Sequence, residues 1–205
     1  MEESQTATFG RIPVRGGTYQ GEWRDSQRHG HGQMVYRDGR IYQGDWIRDK
    51  RHGFGTLTLR PSKKGAVRQY AGDWYEDRRE GFGVMIYGGK ENYEGEWLGD
   101  RRDGWGRMNY RDGGFYEGEW VAGSRQGQGI LLYPNGNIYE GEWEGDERHG
   151  KGRYLHTNGY IQVGGLVFKF MNVFNPIEKK CLLGVSINFY TITIFKSVSE
   201  RLVGS

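Results

Sequence analysis

In residues 93–97, Tyr-Glu-Gly-Glu-Trp, apolar or bare positions alternate with carboxylates. A period of two is the signature of a strand that turns one face to a core. Tyr93, Gly95 and Trp97 share that face, while Glu94 and Glu96 share the other. A six-residue connection follows, and then a return strand opening on Gly104-Trp105-Gly106 that sets Gly104, Gly106, Met108 and Tyr110 together. The pattern predicts a β-hairpin. Glycine weakens a strand interior, so a neighbour's aromatic ring is expected to lie across the bare backbone at these positions. Such a unit cannot bury its tryptophan alone.

The chain solves this by repetition. Tyr-x-Gly-x-Trp recurs at Tyr19/Trp23, Tyr42/Trp46, Tyr70/Trp74, Tyr93/Trp97, Tyr116/Trp120 and Tyr139/Trp143, and these twelve aromatics are the expected structural core. Seven residues after each Trp comes Gly-x-Gly, and the Trp-to-Trp spacing is 23, 28, 23, 23 and 23. The longer step holds a five-residue insertion within residues 60–69. Six units follow, at 19–41, 42–69, 70–92, 93–115, 116–138 and 139–161. The ends of the hairpins carry turn residues, as in Arg111-Asp112-Gly113 and Pro134-Asn135-Gly136. The expected fold is all-β: an elongated, single-layer antiparallel β-meander of tandem hairpins, each stepping ~9.6 Å.

Residues 1–18 are polar and Gly-rich, a loosely ordered lead-in. Counting 23 on from the sixth unit gives Gln162, Gly164 and Leu166, so only the glycine of a seventh copy survives. Residues 162–205 therefore read as a divergent tail. It is either a degraded seventh repeat that caps the edge with two strands, or an alternative terminus from an alternative exon or intron read-through near Val163.

Charge narrows the function. The chain carries a net +3, but residues 1–161 hold 24 basic and 24 acidic side chains. A nucleic-acid binder shows a basic excess on its binding domain, so no nucleic acid is expected as partner. The single cysteine, Cys181, excludes an intrachain disulfide. The first residues lack the apolar stretch of a signal peptide, and an intracellular, cytoplasmic protein is the expectation.

These residues, YEGEW…RDGWGRMNYRDG, resemble the MORN (membrane occupation and recognition nexus) repeat over about residues 19–161. The resemblance implies a scaffold or adaptor that tethers protein partners. Short members of the family belong to cytoskeletal, ciliary or flagellar and sperm structures, so it also implies a place in spermatogenesis or the acrosomal region. Some members join the repeats to a catalytic domain, but residues 162–205 are too few for one. No nucleophile elbow or phosphate loop is present. No enzyme, cofactor or metal site is expected.

Three features are candidates for binding. Arg28, Arg51, Arg79, Arg102, Arg125 and Arg148 each sit two residues before the first Gly of Gly-x-Gly, and stacking aligns them as a column. That column reads as a track for anionic phospholipid headgroups such as phosphoinositides, or as a solvated edge. Glu22, Asp45, Asp73, Glu96, Glu119 and Glu142, each before a Trp, form a second column that pairs with it or faces water. Arg60, Lys63, Lys64 and Arg68 make the insertion the most basic local patch of the repeats, which reads as a docking loop for an acidic partner or as a flexible solubilising loop. Phe54, Phe82 and Trp105, between the paired glycines, face away from them and form a stripe that reads either as a surface against which a partner helix packs in a sheet groove or as packing within the second face of the curved sheet. Open sheet edges allow a homodimer.

Overall fold

A computed structural model of the chain describes residues 6–59, 67–164 and 166–169. They form one antiparallel sheet in which every strand pairs with its neighbours in sequence. The strands are β1 (Thr6–Val14), β2 (Gly17–Arg24), β3 (Gln27–Tyr36), β4 (Ile41–Ile47), β5 (Lys50–Leu59), β6 (Arg68–Tyr75), β7 (Arg78–Gly88) and β8 (Glu91–Leu98). They continue as β9 (Arg101–Asn109), β10 (Phe115–Val121), β11 (Ser124–Leu132), β12 (Ile138–Glu144), β13 (Glu147–Leu155), β14 (Tyr160–Val163) and β15 (Leu166–Lys169). The all-β meander expected from the alternation is the observed fold.

The connection inside each unit is tighter than the expected six residues. β8 and β9 are joined by Gly99-Asp100 alone, both at positive φ (55° and 71°). This is the two-residue turn whose twist matches paired strands, and it demands left-handed residues. The same turn recurs at Arg48-Asp49, Glu76-Asp77, Ala122-Gly123 and Gly145-Asp146.

The strands gain their length through a bulge. In the β8–β9 hairpin Gly95 pairs with Gly106 and Trp97 with Arg102, so residues 103–105 face the single Glu96. Gly104 sits in this bulge at φ 89°, and a Cβ there would stand 2.6 Å from the Glu96 carboxylate. The second glycine has the reason foreseen for both. A Cβ on Gly106 would stand 2.2 Å from the Tyr93 hydroxyl, which lies across it. The first glycine serves the bulge instead.

One face of the sheet holds the core. Tyr19, Tyr42, Tyr70, Tyr93 and Tyr116 are fully buried there, with Trp46, Trp74, Trp97, Trp120 and Trp143 beside them. Met34, Leu57, Met85, Met108 and Leu131 fill the next layer of the same face.

At the ends, the lead-in differs from the sequence expectation. Residues 6–14, read as loosely ordered lead-in, form β1, which pairs with β2 along Ala7↔Trp23 to Val14↔Gly17. The start of the tail continues the meander as β14 and β15, with only three residue pairs between β13 and β14. Residues 170–205 lie outside the described residues, as do Arg60, Lys63 and Lys64 of the expected docking loop. Its fourth member, Arg68, is not in a loop: it opens β6, opposite Leu59.

Candidate functional site: two faces of the repeat sheet

On the inner face Tyr19, Tyr42, Tyr70, Tyr93 and Tyr116 each touch two tryptophans edge-on, and Tyr139 touches Trp143. Tyr93 lies 5.2 Å from Trp97 of its own repeat and 5.5 Å from Trp120 of the next, both at 89°. Edge-to-face contact sets a ring's positive rim against its partner's negative face. Trp120 is pinned by donating Nε1–H to the Gly106 carbonyl at 3.1 Å, and Tyr93 by donating its hydroxyl to the Glu96 carbonyl at 3.0 Å. The same bonds recur from Trp46, Trp74, Trp97 and Trp143. Burial pushes the tyrosine hydroxyls up, Tyr19 to about 12, against the opposing pull of Arg28. They are therefore neutral donors.

The arginine column closes over this ladder. The guanidinium of Arg51 lies 4.1 Å from the ring centroid of Trp74, and Arg28, Arg79, Arg102 and Arg125 cover Trp46, Trp97, Trp120 and Trp143 at 4.0–4.4 Å. Arg148, in the last repeat, reaches Tyr139 and Tyr154 at longer range. Each guanidinium over a tryptophan thus belongs to the preceding repeat.

Their carboxylate partners are not the ones expected. Arg28, Arg51, Arg79 and Arg125 bond Asp49, Asp77, Asp100 and Asp146 in the next repeat's two-residue turn. Each such Asp accepts from both the arginine's Nε and its backbone N–H, and gives its carbonyl to Nη2. The Asp146 carboxyl is held below the usual range by these bonds from Arg125, burial opposing.

The carboxylates before the first five of these Trp residues neither pair with those arginines nor merely face water. They take the backbone N–H that the bulge sets free: Glu22 from His31, Asp45 from Phe54, Asp73 from Phe82, Glu96 from Trp105 and Glu119 from Gln128, at 2.8–3.2 Å. Sequence spacing aligned these columns correctly. It missed the arginines' partners because those lie one repeat away in a turn, and the carboxylates' partners because the bulge that frees them breaks the alternation.

The outer face is different. Phe54, Phe82 and Trp105 all lie on it, each directly opposite a carboxylate residue of the next repeat: Asp73, Glu96 and Glu119. Phe54 is 52% exposed. The indole Nε1 of Trp105 is shielded from solvent and has no acceptor among the described residues.

Alongside runs a second apolar row that sequence reasoning passed over: Ile47, Tyr75, Leu98 and Val121, exposed by 41–57%. Each follows a core Trp, so alternation throws it to the outer side. That signal was available, because every one of these residues is the apolar neighbour of a buried tryptophan. Among the described residues there is no group of three His, Cys, Asp or Glu side chains placed to hold a metal ion.

The model of the MORN repeat matches residues 19–39, 42–61, 70–89, 93–115, 116–138 and 139–159, more than half of the chain. The chain belongs to the MORN repeat family. MORN repeats are non-enzymatic modules of protein or membrane interaction. No curated protein matches the chain closely enough to be named as a relative. In this MORN array the inner face is spent on holding repeat to repeat, and the outer face presents the unfilled apolar surface.

Proposed function

We propose that the chain is a non-catalytic scaffold that tethers protein partners on the outer face of its repeats. The observation that carries this reading is the exposed row Ile47, Tyr75, Leu98 and Val121, set beside Phe54, Phe82 and Trp105. Apolar side chains presented in line, one per repeat, supply the contact area that an elongated partner segment needs. A helix laid across the strands is the fitting shape. Arg60, Lys63 and Lys64 of the insertion, with Arg68 at the start of β6, are proposed to add contacts to an acidic partner. The sheet edges are proposed as the site of self-association into a homodimer.

The resemblance of the insertion and of GWGRMNY to the short vertebrate MORN repeat-containing protein 3 supports a finer setting. We infer a cytoplasmic, cytoskeletal place in ciliary, flagellar or sperm assemblies, including the acrosomal region.

The competing reading is a peripheral adaptor that binds phosphoinositides through the arginine column. Its support is weakened by the commitments of those arginines, since four of the six are ion-paired and five cover a tryptophan. Co-sedimentation with phosphoinositide vesicles across a salt series separates the two. The scaffold reading expects no binding attributable to the column. Pelleting that disappears with rising salt and on substituting Arg102 and Arg148 overturns it.

A further inference from the structure

The arginine column repeats one clamp four times and, in mid-array, breaks it at Arg102. At Arg28, Arg51, Arg79 and Arg125 the second turn residue of the next repeat is an Asp whose carboxylate accepts two bonds. After Arg102 that position is Gly123. The backbone half of the clamp survives, for Gly123 donates its N–H to the Arg102 carbonyl at 2.8 Å and accepts from Nη2 at 2.6 Å. Only the carboxylate is missing. The N–H and Nε of Arg102, which its siblings point at an aspartate, have none to reach.

The space is open as well. A Cβ on Gly123 meets nothing within 4 Å. Next to it lies a cavity of about 470 Å³ whose lining includes Tyr87, Trp97, Met108, Arg101 and Arg102. The two acids at this cavity are already engaged, Asp100 by Arg79 and Glu91 by Arg111. Arg101 and Arg102 have no ion-pair partner among the described residues, so the cavity carries uncompensated positive charge.

We propose that Arg102 and this cavity bind a carboxylate from outside the chain, in the place that Asp49, Asp77, Asp100 and Asp146 fill in the other repeats. A guanidinium edge beside a backbone N–H matches the two oxygens of a carboxylate. The walls supplied by Tyr87, Trp97 and Met108 fit an apolar group carried next to it. Two sources share this chemistry: an acidic side chain of a bound protein beside an aromatic or aliphatic residue, and a free small carboxylate. The site is on the inner face and does not depend on the outer face binding anything.

The test follows the Arg102 Nε–H and Gly123 N–H signals of the full chain by NMR. One arm is titrated with sodium acetate, a second with the capped dipeptide acetyl-Phe-Asp-amide, and a third with sodium chloride at matched ionic strength. Saturable shifts centred on Arg102 are expected from the carboxylates and not from chloride. Gly123→Asp supplies the missing group internally and should weaken both ligands by about tenfold or more. Arg102→Gln should abolish the response if Gly123→Asp does not fold. Tighter binding of the dipeptide assigns the site to a protein-borne acid, and binding of acetate at least as tight assigns it to a small carboxylate. Shifts matched by chloride, or undiminished in both variants, overturn the proposal.

Discussion

The guanidinium of Arg51 lies 4.1 Å from the ring centroid of Trp74, a residue of the following repeat, and its Nε bonds Asp77 in that repeat's turn at 3.0 Å. One side chain thus joins a π face and a carboxylate that its own repeat does not contain. Because among the described residues each hairpin pairs only with the hairpins beside it, such contacts decide whether the array behaves as one cooperative unit. Arg51→Ala is expected to cost about 2 kcal/mol in chemical denaturation, and Arg51→Lys to recover less than half of it, because an ammonium cannot stack flat while bonding two oxygens. Equal stability of the Lys and parent proteins would show that charge alone is at work.

The ladder beneath makes a second prediction. Trp97 is packed against both Tyr70 and Tyr93 and bonds the Gly83 carbonyl at 3.1 Å. Trp97→Ala in mid-array should destabilise by ~3–5 kcal/mol, read as a lowered melting temperature. An unchanged melting curve would contradict the packing described.

Gly106→Ala tests the close approach. Its Cβ would stand 2.2 Å from the Tyr93 hydroxyl, which is held in place by its bond to the Glu96 carbonyl. The expected loss is at least about 2 kcal/mol. A neutral result would mean that the ring swings aside freely.

Alkali should open the sheet. Burial raises the hydroxyls of Tyr19, Tyr42, Tyr70, Tyr93 and Tyr116 above their ordinary value of 10.0, Tyr19 to about 12. Groups with a raised folded-state pKa contribute stability that is whole below the unfolded value and lost as pH climbs toward the folded one. Stability should therefore be flat with respect to these groups up to about pH 10 and fall above it. Tyrosinate absorbance and circular dichroism should then change together. Ionisation of all tyrosines near pH 10 with the sheet intact would refute the burial argument.

Much of this was legible in the sequence. The period of two and the invariable step from Trp to Gly-x-Gly place Tyr93, Trp97 and Gly106 correctly, since alternation and repeat length are both local properties. The bulge was hidden because it breaks that alternation: Glu96 faces residues 103–105, so strand length and turn length trade places. The partners of the arginine column were hidden for another reason. Arg79 meets Asp100 across 21 positions, a pairing fixed by how one hairpin docks on the next. Leu98 was passed over because a single exposed apolar residue is unremarkable until its copies line up.

The central claim is that the outer face is where partners dock. The most direct measurement places a photo-crosslinking benzoylphenylalanine at Leu98 or Tyr75 on the outer face, and at half-buried Tyr36 on the inner face, away from the Arg102 cavity, in the full chain expressed in its own cells. The account predicts discrete protein adducts from the outer positions and none from Tyr36. Adducts to lipid, or protein adducts from Tyr36 and not from Leu98 or Tyr75, would contradict it.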